Sequence, residues 1–128
     1  MPRFIQKPLV FVLEDDASQL EIVCAYLQQL GYETAGFSAA QLLLADLDGR
    51  DPFAVVTDLD LPGMDGHTLA LKIMDRNPNV PIIVLSGRSE GRDLGYAQAV
   101  IPKNTHALAA LKAALEELAP HRGDARSN

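Results

Sequence analysis

Apolar residues follow two patterns that alternate along the chain. Short unbroken runs at Leu9 to Leu13, Ala54 to Asp58 and Ile82 to Leu85 are bounded by turn-forming residues. They predict strands buried on both faces of a parallel sheet. Between them, apolar positions recur every three or four residues, the spacing of a helix face. Leu20, Val23, Leu27 and Leu30 predict a helix from about Ala17 to Leu30, stopped by Gly31. A short strand near Glu33 to Phe37 follows, and then Ser38 as the cap of a helix carrying Leu42, Leu43 and Leu47. A third helix is expected from about Gly66 to Asn77, with Leu69, Ile73 and Met74 inward. Pro78 and Pro81 flank the turn before the fourth strand. Ser86 to Gln98 has no clear pattern, Ala99 to Pro102 reads as a fifth strand, and a last helix starts near Asn104 or Thr105. That helix carries Leu108, Leu111, Leu115 and Leu118, and Pro120 is expected to end it.

Repeated strand–helix units predict an α/β, doubly wound, five-stranded parallel sheet with right-handed crossovers and helices on both faces. The expected organisation is an N-terminal extension over 1–8, one domain over 9–120 and a polar, frayed tail over 121–128.

Composition narrows the class. A chain of 128 residues with 48% hydrophobic content can bury one core. The net charge of −6 argues against a nucleic-acid surface. Cys24 is the single cysteine, so no internal disulfide forms, and it reads as a small buried hydrophobe. The N-terminus lacks the apolar core of a signal peptide, and no apolar run is long enough to span a bilayer. The expectation is a cytoplasmic protein without membrane contact.

Chemistry concentrates where strands end. Glu14, Asp15 and Asp16 follow the first strand, and Asp58 closes the third. Open α/β sheets place their sites at such carboxyl ends. Two carboxylates ~4 Å apart repel by roughly 4 kcal/mol at an effective dielectric near 20. A divalent cation relieves that repulsion. Asp65 and Asp16 read as helix caps rather than ligands. His67, His106 and His121 show no partnered spacing.

Four features in order carry a resemblance: the acidic pair after the first strand, Asp58 opening D-L-D-L-P-G-M-D-G after the third, Ser86 after the fourth, and Lys103 after the fifth. With them the chain resembles the receiver domain of bacterial two-component response regulators. The resemblance implies a flavodoxin-like sheet of order 2-1-3-4-5. It implies Asp58 as phosphoacceptor, with Ser86 and Lys103 on the phosphoryl group. It further implies Mg²⁺, with Mn²⁺ as a substitute, held by Glu14, Asp15, Asp58 and the backbone carbonyl of Asp60. The partner it implies is a histidine kinase or histidine phosphotransfer protein, docking through Ile22 and Tyr26 on the first helix. The activity is then signalling by protein contact, with at most self-phosphorylation and autodephosphorylation. The alternatives are a receiver fragment of a hybrid histidine kinase and a haloacid-dehalogenase-like phosphatase, whose D-x-D motif Asp58-Leu59-Asp60 mimics.

The chain departs from the family pattern at three places. Asn104 follows the lysine, where the family has a proline after a cis bond. Ser86 and Lys103 are only 17 positions apart, and Gly87, Gly91 and Gly95 lie between, so the fourth helix is expected to be shortened or irregular. Val100 occupies the position of the family's switching aromatic, and Tyr96 is out of register. The segment Gly87 to Gln98 is therefore expected to carry the switch by a change of order.

Overall fold

The computed structural model describes residues 7–61, 63–87 and 95–127. Its main sheet has five parallel strands: β1 (Leu9–Leu13), β2 (Glu33–Phe37), β3 (Ala54–Asp58), β6 (Ile82–Ser86) and β7 (Ala99–Pro102). Their spatial order is β2-β1-β3-β6-β7, which is the expected 2-1-3-4-5 when main-sheet strands alone are counted. The helices are α1 (Ala17–Gln29), α2 (Ala40–Leu47), α3 (Gly66–Arg76) and α4 (Ala107–Ser127). A two-residue antiparallel hairpin, β4 (Asp60–Leu61) with β5 (Met64–Asp65), sits between β3 and α3. The sequence pattern did not signal it, because two residues are too few to show a period. Gly63 sits at its tip with φ +81°, a conformation that favours glycine.

The apolar runs are continuous because both faces of the sheet are covered, and alternate residues serve opposite layers. Phe11, Leu13, Val55, Ile82 and Val84 meet Leu43, Leu69 and Ile73 on the side of α2 and α3. Val10, Val12, Val56, Ile83 and Leu85 meet Val23, Leu27, Leu111 and Leu115 on the side of α1 and α4. All five residues of β3 and all five of β6 are buried, whereas β2 and β7 expose edges. The carboxyl ends of β1, β3, β6 and β7 thus share one rim.

Helix ends follow local chemistry. Asp16 caps α1 by accepting from the Gln19 N–H, and Asp65 caps α3 by accepting from the Thr68 N–H. Gly31 (φ +102°) closes α1: its N–H donates to the Gln28 carbonyl, and the Tyr32 N–H reaches back to Leu27.

Several expectations are corrected. The cap of α2 falls on Ala39 rather than Ser38, and Ala39 has no side-chain acceptor. Burial of Ala40, Leu43, Leu44 and Leu47 against Phe37 sets where α2 starts, and packing outweighs the lost cap bond. That rotation leaves Leu42 55% exposed, outside the core. The last helix begins at Ala107, after a turn over Asn104 to His106, and continues past Pro120 to Ser127 instead of ending at the proline. Pro120 has a helical φ but removes one donor and crowds the carbonyl four residues back. Ala119, Arg122, Ala125 and Arg126 favour helix on either side of it. Cys24 and Tyr26 are half-buried against the α1–α4 layer, so Cys24 is not fully enclosed and Tyr26 is not an open surface group. The predicted irregular segment falls largely on residues 88–94, outside the described residues. Among the described residues no helix is long and apolar enough to cross a membrane.

Candidate functional site

Glu14 leaves β1 at the rim and is 5% exposed. Its Oε2 accepts from the Asp16 N–H at 3.2 Å, and its Oε1 accepts from Lys103 Nζ at 3.0 Å. Asp58 ends β3, is 9% exposed, and accepts from Lys103 Nζ through Oδ2 at 2.9 Å. Asp15 is exposed at the same rim. One carboxylate oxygen from each of Glu14, Asp15 and Asp58 lies within 4.8 Å of the others, close enough to share a cation. Three hard oxygen donors at that spacing suit a small divalent cation that keeps several waters.

Ser86 ends β6 and is buried, with Lys103 N–H donating to its carbonyl at 2.9 Å. Lys103 follows β7. The sheet therefore gathers Glu14, Asp15, Asp58, Ser86 and Lys103, which span 89 positions of sequence, at one rim. Asp60 opens the hairpin two residues after Asp58, its backbone paired in register with Asp65. No peptide bond among the described residues is cis, Lys103–Asn104 included.

The electrostatics are those of a partly dehydrated cluster. Burial pushes the Glu14 carboxyl above its ordinary value, and the Lys103 hydrogen bond only partly opposes this. Burial acts to lower the Lys103 ammonium, but hydrogen bonds to Asp58 and Glu14 outweigh it and hold the group raised. The ammonium thus stands as the counter-ion between two acids. Thr57 adds a contact that the sequence reading missed: its hydroxyl donates to the Asp58 carbonyl at 2.9 Å. A hydroxyl residue just before a strand-end acid was the available signal.

A groove of about 620 Å³ adjoins the cluster, lined by Glu14, Lys103, Ile22, Val23, Asn104 and Leu108 among others. Ile22 is 50% exposed in it, and Tyr26 does not line it. A larger cleft of about 1020 Å³ opens at the opposite end of the sheet beside Lys7, Tyr32, Arg50 and Phe53. There Arg50 is paired with Asp46 and lies over the Phe11 ring, so it is remote from the acidic cluster and already engaged. His67 stacks obliquely near Tyr96, with ring centroids 6.0 Å apart, and His106 takes part through its backbone in the turn before α4.

Comparison with known proteins places this rim in context. The response regulator receiver domain matches residues 10–107. The C4-dicarboxylate transport transcriptional regulatory protein DctD of Rhizobium meliloti is 31% identical over 83 residues, 65% of this chain. The autoinducer 1 sensor kinase/phosphatase LuxN of Vibrio campbellii is 28% identical over 89 residues, 70% of this chain. The aligned stretch spans only 18% of the first protein and 10% of the second. Among solved structures, the response regulator protein TrrA of Thermotoga maritima in complex with Mg²⁺–BeF superposes with a TM-score of 0.79 at 24% identity, covering 87% of this chain and 98% of that one. A CheY-like receiver domain from Methylobacillus flagellatus gives 0.80 at 19% identity, covering 88% and 99%. At these identities the structural likeness speaks for the fold, and the sequence match speaks for the family: this chain belongs to the response regulator receiver domain family.

Proposed function

We propose that this domain accepts a phosphoryl group from a phosphohistidine onto the carboxylate of Asp58. The observation that carries the reading is the Lys103 ammonium, hydrogen-bonded at once to Asp58 and Glu14 within a cluster whose third acid is Asp15. In the reaction an Asp58 carboxylate oxygen forms a bond to phosphorus as the nitrogen–phosphorus bond breaks. The electron pair leaves with the histidine ring. The product is an acyl phosphate on Asp58 and a free histidine.

Such transfers need positioning and charge neutralisation more than covalent help. Glu14, Asp15, Asp58 and the backbone carbonyl of Asp60 are the groups that would hold Mg²⁺ or Mn²⁺. Bound there, the cation supplies neutralisation of the acids and of the transferred group. Lys103, a mobile point charge, follows the developing phosphoryl charge away from Glu14. The Ser86 hydroxyl donates to a phosphoryl oxygen. Burial of Asp58 limits access of water to the bond formed.

Receiver domains work with histidine kinases or phosphotransfer proteins. In this chain the partner's histidine would enter along the groove beside α1, where Ile22 supplies exposed apolar surface, while Tyr26, half-buried against the α1–α4 layer, lies outside the groove. The matched stretch occurs in transcriptional regulators and in a sensor kinase alike, so the reading concerns the module and leaves its attachment open to both.

The test is intact-mass measurement after acetyl phosphate treatment with Mg²⁺. One phosphoryl group should appear on wild type and none on Asp58→Asn or after chelation. A group that persists on Asp58→Asn sinks the assignment. Fast turnover of a generic phosphate ester would favour the phosphatase reading instead.

A further inference from the structure

Lys103 emerges from β7 into a stretch without regular structure, yet its ammonium reaches acids at the ends of two other strands. A flexible four-carbon stem can deliver a charge to many places. Directing it to one place requires its backbone to be held on both sides. The upstream tie is the Lys103 N–H donating to Ser86. The downstream tie is made by the next residue. Asn104 Oδ1 accepts from the His106 N–H at 2.8 Å, and the Asn104 carbonyl accepts from the Ala107 N–H at 3.1 Å. The side-chain bond to the backbone two residues on is an Asx turn. It reverses the chain within three residues and joins it to the first residue of α4. That helix is fixed to the sheet through Leu111 and Leu115, both fully buried. Asn104 itself is exposed, so its hydrogen bond cannot be put down to core packing.

We propose that Asn104 is the positioning residue for Lys103: its Asx turn ties the lysine's backbone to α4 and so aims the ammonium at Asp58 and Glu14. The proposal rests on the phosphoacceptor reading for its consequence, the rate of transfer. Its structural half, where the ammonium sits, stands separately.

The experiment uses the full chain as wild type, Asn104→Ala and Asn104→Asp. The aspartate keeps an oxygen acceptor at the same place. Two quantities are read: the NMR shifts of the Lys103 side chain without phosphodonor, and the rate of labelling by acetyl phosphate with Mg²⁺. Asn104→Ala should move the Lys103 signals toward those of a free lysine and slow labelling about tenfold. Asn104→Asp should restore both. Asn104→Gly, which also lacks the acceptor, should repeat the alanine result and guards against a folding defect peculiar to one variant. Unmoved Lys103 signals in Asn104→Ala and Asn104→Gly would overturn the proposal. So would an Asn104→Asp variant as slow as Asn104→Ala. If wild type itself takes no label on Asp58, the phosphoacceptor reading fails, and the Lys103 signals still decide the positioning role.

Discussion

Burial makes ionisation of Glu14 costly, and the neighbouring Asp58 charge adds to that cost. Its folded-state value is raised by that burial above the ordinary 4.5. The sign follows: folding favours the protonated form, so Glu14 contributes stability below its ordinary value and loses it as pH rises through the raised one. In buffer free of divalent cations, Glu14→Gln should therefore flatten a decline in stability that wild type shows across that window. Urea melts of both proteins at a series of pH values measure the difference, and superimposable profiles would refute it. Lys103 acts in the other range. Its raised value means that its ion pairs persist at neutral pH and weaken only as alkali carries the pH through that value. A divalent cation should add to the relief that Lys103 gives. Mg²⁺ binding to the native state alone stabilises by RT ln(1 + [L]/Kd), about 2.7 kcal/mol at a hundred times Kd. Millimolar Mg²⁺ should raise the wild-type Tm in calorimetry, and Asp15→Ala should blunt the rise. A wild-type Tm indifferent to Mg²⁺ would count against a metal site.

At the scale of elements, the junction from β3 to α3 leaves no room for a side chain at Gly66. A Cβ on Gly66 would lie 2.7 Å from Leu59 Cδ1, 3.0 Å from the Tyr96 hydroxyl oxygen and 3.3 Å from the Leu59 carbonyl. The absence of a side chain lets the first turn of α3 approach both the residue after Asp58 and the chain that leads into β7. Gly66→Ala should thus cost roughly 1–3 kcal/mol by overpacking. It should also move the Tyr96 ring away from His67, which NMR ring-current shifts on His67 would report. An alanine variant as stable as wild type, with unchanged His67 signals, would show that the contact yields freely. The switch expected over Gly87 to Gln98 cannot use an aromatic at Val100, which is 37% exposed on the edge strand. The aromatic present, Tyr96, instead packs inward on the α2–α3 layer.

At the scale of the whole molecule, one sheet separates two apolar layers, and the two should behave as independent reservoirs of stability. Ile73 is fully buried on the α2–α3 side and Ile83 on the α1–α4 side. Ile73→Val and Ile83→Val should each cost about 0.5–1.5 kcal/mol in urea unfolding. Their double variant should match the sum within roughly 0.5 kcal/mol, since no partner is shared across the sheet. A larger coupling would mean that the sheet transmits strain between its faces. Much of this architecture was legible in the chain itself. Residues i and i+2 of a strand share a face, and residues three or four apart share a helix stripe. Unbroken apolar runs located β1, β3 and β6, because strands covered on both faces have no polar side. The helix stripe located the core of α1, α3 and α4 but misplaced Leu42 of α2, and the acids at strand ends marked one rim. Packing overruled the local signal at Ser38, where burial of Ala40 and Leu43 outweighed a cap, and at Pro120 the helix continued through a residue that ordinarily ends one. Long-range geometry could not be read from spacing. That Lys103 bridges Glu14 and Asp58, that Thr57 bonds the Asp58 carbonyl, and that Gly66 makes room for Tyr96 depend on strands brought side by side. The identities of the reacting groups were thus set by residue type and local pattern. Their distances, burial and charge states arose only when the sheet aligned its carboxyl ends and removed water from between them.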